Sequence, residues 1–460
     1  MPLGRRKDTE QQDLFVMATD LPKSVGHVFY NKLNELLSEA GFDRWIEELC
    51  QPYYSQGRGR PGIPPGIYFR MLLIGYFEGI QSQRGIAWRC ADSLSLRSFL
   101  GISLTEQTPD HSSLTYIRER LPQEVHESVF QWVLKVASDK KLLKGKTVAV
   151  DSSTLEANAA MKSIVRRDNG EDWRAYVIGL MKSEGVIAAD ATPSDDELRN
   201  YDKKRKGKKV SNDDWTSPVD PDARIARMKD GTTHLAYKAE NVVDMDSSLI
   251  LAGEIYKADQ ADTVTVEDSL NAAQTNLDVA QAQKIIEEVV ADKGYHSTDL
   301  LDKLAQRTKY RSYIADPKSP TGKRNWKGVS PEKRKAVEAN RRRMKRKKGK
   351  GLQRSRSEHV ERTFAHVLET GGARRTWLRG DEKVKKRYSI ATAAYNLGVL
   401  MRRLFGIGTA RSLQAFRVGL DGLLGLHQVT WSAIFATIEL LRFNTRATNV
   451  GVHTTLLAAA

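Results

Sequence analysis

Two short apolar runs in the sequence each end in a carboxylate: Val148-Ala149-Val150 is followed by Asp151, and Val289-Val290-Ala291 by Asp292. A charge beside a core costs free energy unless it is paired or holds a cation. Strand ends of open α/β sheets are also where such proteins assemble their sites. A third acid, Glu361, lies in Glu358-His359-Val360-Glu361-Arg362-Thr363-Phe364, where Val360, Phe364 and Val367 form an apolar helical stripe. That spacing predicts a helix packed on the sheet, aiming Glu361 at its edge. Three oxygen donors from two strands and a helix suit Mg²⁺, which leaves coordination positions open for water and phosphate. Two such ions ~3.5–4 Å apart can activate an attacking oxygen and stabilise a leaving one in an in-line phosphoryl displacement, and Mn²⁺ should substitute. This chemistry needs no protein nucleophile, and no Ser/His/Asp or Cys/His arrangement stands out. Asp244, Asp246, Asp259 and Asp262 also flank predicted strands and compete for the second position. Asp292 is preferred because a glycine turn and a capped helix follow it, although an aspartate at a strand end often serves only a turn or cap.

The elements that must position these acids can be read from periodicity. Residues 147–150 form a strand ending at Asp151, and alternation at 234–244 and 248–256 around Asp244-Met245-Asp246-Ser247-Ser248 predicts an antiparallel hairpin. A helix over 262–277, a strand at 288–292, a helix capped by Ser297 or Thr298 and a strand at 310–315 follow. Helical spacing dominates from 357 to 405. The polar segment 157–232 reads as an insert with little core of its own.

Upstream, residues 13–50 show helical spacing, and 67–80 is apolar on most sides, as in a helix surrounded by others. Thr108-Pro109 reads as a hydroxyl cap with proline at the first helical position, starting a helix to Leu121 whose Arg118 and Arg120 lie off its apolar stripe. That helix could touch DNA; a solvated helical face is the competing reading.

The 460 residues, 40% of them hydrophobic, suggest roughly three structural units and argue against a disordered polyelectrolyte. Lys and Arg outnumber Asp and Glu by 73 to 57, a net charge of +16. Fourteen of these charges sit in two acid-free blocks, six in 203–209 and eight in 341–350. Arg341, Arg342, Arg343, Lys345, Arg346 and Lys347 in the second block are candidate phosphate contacts, which give affinity and register without sequence information. A disordered tether or solvated helix face is the competing reading of these blocks. Cys50 and Cys90 belong to no CxxC or Cys/His cluster and read as free thiols. The N-terminal MPLGRRKDTEQQ lacks a signal-peptide core, and the apolar window 422–438 is shorter than the ~20 residues of a span, so it is expected to be a buried helix. These features predict a protein kept in the cytosol, without a membrane partner.

At the carboxylates the sequence resembles the DDE transposases of bacterial insertion sequences. Ala149-Val150-Asp151-Ser152-Ser153-Thr154-Leu155-Glu156-Ala157-Asn158 resembles that family's first-aspartate motif. Ala291-Asp292-Lys293-Gly294-Tyr295 resembles the second, and Val360-Glu361-Arg362-Thr363-Phe364 the third. Leu378-Arg379-Gly380 and Ala394-Tyr395-Asn396-Leu397 resemble its C-terminal helices, Pro218 to Arg224 and Tyr237-Lys238-Ala239-Glu240 the approach to the second strand, and 60–121 the helical domain often joined to it. The acids stand 141 and 69 residues apart. The resemblance implies an α/β fold, a ribonuclease-H-like mixed sheet flanked by helices and preceded by an all-helical N-terminal domain. The expected divisions are 1–125 for the helical DNA-binding domain and 145–405 for the catalytic domain, with the insert at 157–232 and a basic stretch at 333–350. A helical tail over 406–460 is unassigned.

Related families often place a basic residue seven positions after the glutamate; here that position is Leu368, and Arg362 or the pair Arg374 and Arg375 could substitute. The resemblance implies Mg²⁺-dependent cleavage at terminal inverted repeats and strand transfer into target DNA. Asp151, Asp292 and Glu361 would hold two ions, and a homo-oligomer would bring two ends together at the nucleoid. Two alternatives stay open: a catalytically silent DNA-binding protein derived from a transposase, and a metal-dependent nuclease that cuts without joining.

Overall fold

A computed structural model describes residue 17 and residues 27–55, 62–204, 212–228, 231–306, 308, 310–317 and 326–410. The window 422–438, residues 205–209 of the first basic block and the tail beyond 410 lie outside the described residues.

Among the described residues the first elements are seven α-helices: α1 (Val28–Glu39), α2 (Phe42–Cys50), α3 (Pro65–Glu78), α4 (Gln83–Asp92), α5 (Leu94–Leu100), α6 (His111–Arg120) and α7 (Gln123–Asp139). As the apolar run at 67–80 predicts, α3 is enclosed: Tyr68, Phe69, Met71 and Ile74 are buried. The start of α6 differs from the expected Thr108-Pro109. Asp110 is the cap, its carboxylate accepting from Ser112 N–H, because its oxygen reaches the unpaired donors of the first turn. Cys50 and Cys90 are buried free thiols.

The helices precede a mixed sheet. Its first strand, β1 (Thr147–Glu156), is followed by β2 (Val165–Arg166), α8 (Trp173–Ser183), α9 (Asp195–Lys204), β3 (Trp215–Thr216) and β4 (Arg224–Arg227). Then come β5 (Thr233–Asp244), β6 (Ile250–Lys257), α10 (Asp262–Val279), β7 (Glu288–Ala291), α11 (Thr298–Gln306) and β8 (Arg311–Ile314). Three helices complete the described chain: α12 (Pro331–Lys345), α13 (Lys347–Phe364) and α14 (Asp381–Phe405). Strand order is β4-β5-β1-β7-β8, with β6 also paired to β5. β1 runs antiparallel to β5 and parallel to β7, and β7 runs parallel to β8. This is a ribonuclease-H-like mixed sheet flanked by helices behind an all-helical region, as expected.

The predicted hairpin is β5–β6, and its turn is held by Asp244, which accepts from Lys144 N–H and the Ser247 hydroxyl. Asp244 is thus a buried turn residue. Within the insert, Val177, Met181 and Leu198 of α8 and α9 form a small buried cluster, with Trp173, Tyr176 and Tyr201 around it. Amphipathic pairing of two short helices suffices for this, although neither has a long apolar run.

α14 is buried on all sides from Tyr388 to Met401, as an apolar helix without a polar face must be. It packs on β6 and on α7 of the N-terminal region. One continuous cluster of buried apolar side chains accordingly runs from Phe29 through the sheet to Met401.

Candidate active site

The register of the parallel pair sets the site. Val150 stands opposite Ala291, the last residue of β7, so Asp151 and Asp292 occupy the next step on neighbouring strands. Asp292 follows its strand, as expected. Asp151 does not end β1: the strand continues to Glu156 because residues 151–156 remain paired with 236–241 of β5. What ends at Asp151 is the parallel partner, and that opens one edge of β1 beside the two acids.

Burial pushes the Asp151 carboxyl up from its ordinary value, and the charge of Asp292 adds to this; the Arg356 guanidinium opposes it. Arg356, on α13, is buried and its Nη1 lies 3.0 Å from Asp151 Oδ2. Asp292 also orders its own turn: Oδ1 accepts from Gly294 N–H. A Cβ on Gly294 would stand 2.9 Å from Asp292 Oδ1 and 3.5 Å from Asp262 Oδ2, so a side chain there would push the Asp292 carboxylate aside. Asp262 is therefore a neighbour of the pair. Its Oδ1 accepts from the Ser152 hydroxyl at 2.8 Å and meets Lys238 Nζ at 3.2 Å.

A buried polar layer supports these strands. Asn241, opposite Asp151 in register, donates to the Thr363 hydroxyl and accepts from Tyr388, tying β5 to α13 and α14. Glu240 is fully buried and accepts from Thr265, Ser269 and Tyr295. Burial raises its carboxyl, and these donors and Lys238 pull it back. Gln353 of α13 donates to Ala291 and Tyr313 carbonyls, so that helix lies across β7 and β8 before reaching Asp151.

Val360, Phe364 and Val367 are buried, as the stripe predicts. Glu361 is exposed on the flank of α13. The side chain that α13 delivers to Asp151 is Arg356, which the sequence reading missed. Its signal was the stripe 353, 356, 360 and 363, one turn earlier along the same face. Among the described residues, no group of three or more His, Cys, Asp or Glu side chains is placed to hold a metal ion.

Of the rival acids, Asp246 donates its N–H within the hairpin turn, and Asp259 lies 3.8 Å from Arg224. The basic candidates divide clearly. Arg118 is mostly buried, and Arg120 lies over the Tyr54 ring at 4.8 Å. Arg341 pairs with Asp316, and Arg343 donates to Ser312. Arg342, Lys345, Arg346 and Lys347 are exposed at the corner between α12 and α13, so this block is a helical surface. Arg362 pairs with Glu358, and Arg375 lies 3.7 Å from Glu156. Arg374 pairs with Glu369 and reaches the Ser153 hydroxyl and Thr154 carbonyl, which brings it closer along β1 to Asp151 than Arg375. Leu368 is fully buried, where a cation would have no water.

Residues 20–120 match the family model of a transposase domain (DUF772), and residues 318–401 match that of a transposase DDE domain. The architecture agrees with a DDE transposase. The second match spans α12, α13 and α14 with Glu361, whereas Asp151 and Asp292 lie between the two matched regions. No curated protein and no solved structure gives a match.

Proposed function

We propose that the chain is a metal-dependent DNA transposase, cutting at terminal inverted repeats and transferring the ends to target DNA. The observation that carries this reading is the juxtaposition of Asp151 and Asp292 beside a helix that lies within the matched DDE region. The donor chemistry fits a hard divalent cation: two carboxylates side by side, one of them raised by burial and by the other's charge. Asp151 and Asp292 would hold Mg²⁺, with Glu361 as the third acid. The bound ions would activate the attacking oxygen and stabilise the leaving one. Arg356 offsets the partly buried charge of Asp151, while Asn241 and Gln353 fix α13 against the strands. Exposed Arg342, Lys345, Arg346 and Lys347 would meet phosphates, so binding should weaken steeply with salt.

A second reading, a silent DNA-binding protein, is favoured by the Arg356–Asp151 pair and the exposure of Glu361. Incubating the full chain with terminal-repeat DNA, a target plasmid and Mg²⁺ separates the readings: cutting with joining, cutting alone, or neither. Asp292→Asn is expected to lower cleavage by at least about a thousand-fold while leaving DNA affinity within about two-fold. Metal-dependent cleavage retained in this variant would remove Asp292 from the chemistry.

A further inference from the structure

Away from the carboxylates, the N-terminal helices and α14 enclose a cavity of about 410 Å³, within the range of small-ligand sites. Its walls combine rings with cations. Tyr68, Tyr76 and Trp377 line it together with Arg118, Lys386 and Arg387, and no Asp or Glu contributes to the lining. The Trp377 ring is half exposed and is held by its N–H donating to Gln81 Oε1 at 2.9 Å.

The charges are unevenly compensated. Lys386 is buried but pairs with Glu382 at 2.6 Å. Arg118 Nη2 is 4.0 Å from Glu119, a carboxylate that Lys383 approaches more closely at 2.8 Å, and Arg118 Nε is buried without a hydrogen-bond partner. Arg387 donates only to the Arg375 and Gly372 carbonyls, and among the described residues no carboxylate pairs with it. Burial and the charge of Arg118 hold its guanidinium down to about 10. By contrast Arg70, more deeply buried in the same helical region, is matched by Asp43 at 2.7 Å. A cavity with aromatic walls and surplus positive charge is suited to an anion that carries a flat ring.

We propose that this cavity binds a nucleoside phosphate, the base against Tyr76 and Trp377 and the phosphate toward Arg118 and Arg387. The assignment is independent of the transposase reading, because binding of a free nucleotide needs neither metal nor cleavage. Calorimetric titration of the full chain with 2′-deoxyadenosine 5′-monophosphate, deoxyadenosine and inorganic phosphate tests it. The nucleotide is expected to bind at least about ten-fold more tightly than either fragment, and Trp377→Ala and Arg387→Gln each to weaken it by about ten-fold. Thermal unfolding of each variant checks the fold; if Arg387→Gln fails to fold, the half-exposed Trp377 decides the outcome. Equal binding of inorganic phosphate, no binding of the nucleotide, or unchanged affinity in Trp377→Ala overturns the proposal. Displacement of the nucleotide by a short single-stranded oligonucleotide would identify a DNA strand as the source, and its failure to displace, a free nucleotide.

Discussion

The carboxylates beside β7 and the cavity beneath α14 both hold charge away from water, with opposite signs and opposite kinds of compensation. At Asp151 a partly buried acid is met by one buried cation, Arg356. In the cavity, Arg387 is met by carbonyl oxygens alone. Ion pairs and carbonyl dipoles are not equivalent: a partner of opposite charge cancels much of the field, whereas dipoles solvate a charge and leave its sign intact. The first place can tolerate an added cation only at the expense of Arg356's attraction for Asp151; the second attracts an anion as it stands.

Removing each arginine gives the largest test of that contrast. Arg356→Met leaves the three-quarters-buried Asp151 side chain without its cation and should destabilise the fold by about 3 kcal/mol. Arg387→Met removes a charge held at a cost, so its effect should be smaller by about 2 kcal/mol. Urea unfolding of both variants checks the order, and equal losses would erase the distinction.

His126 sharpens it further. It lines the cavity, its Nε2 is 3.1 Å from the Tyr68 hydroxyl, and burial, then the charges of Lys386 and Arg118, hold it down to about 4 against the opposing Pro122 carbonyl and Glu382. The unfolded chain therefore binds more protons between pH 6.5 and 4, so this contribution is complete above pH 6.5 and is lost as pH falls toward 4. His126→Gln should flatten that acid limb by on the order of 2 to 3 kcal/mol, measured as stability against pH.

Glu254 gives the smallest and opposite effect. Burial and the charge of Glu127 push its carboxyl up to about 7, with Lys385 opposing. Here the native chain binds more protons, so stability declines as pH rises from 4.5 to 7. Glu254→Gln should remove the decline, raising stability by about 2 kcal/mol at pH 8 and much less at pH 5.

Local pattern made much of this molecule legible. The strands before Asp151 and Asp292, the β5–β6 hairpin and the stripe of α13 follow from period-two or helical spacing, because burial of one face is written in neighbouring residues. The continuation of β1 past Asp151 was not legible, since it depends on pairing with a strand some 80 residues away in sequence. Arg356 is a longer-range case: helical spacing puts it on the face of Val360 and Thr363, but the aspartate it meets lies 205 residues earlier and nothing near it in sequence names that partner. The cavity was hidden for the same reason, its walls being shared by α3, α6 and α14. Glu361 was recognised by its motif, and whether it joins the two aspartates in chemistry is what the cleavage assay measures.

The insert with its own small cluster enters after β1 and returns at β4, which pairs with β5. The two aspartates are aligned across β1 and β7, on the opposite edge of β1 from that junction. Chain length within the insert is thus decoupled from the spacing of the acids. Doubling such a loop costs only about 0.6 kcal/mol of closure entropy. The excursion between the first and second aspartate is a place where the protein can gain, lose or exchange a module without altering the alignment of its chemistry.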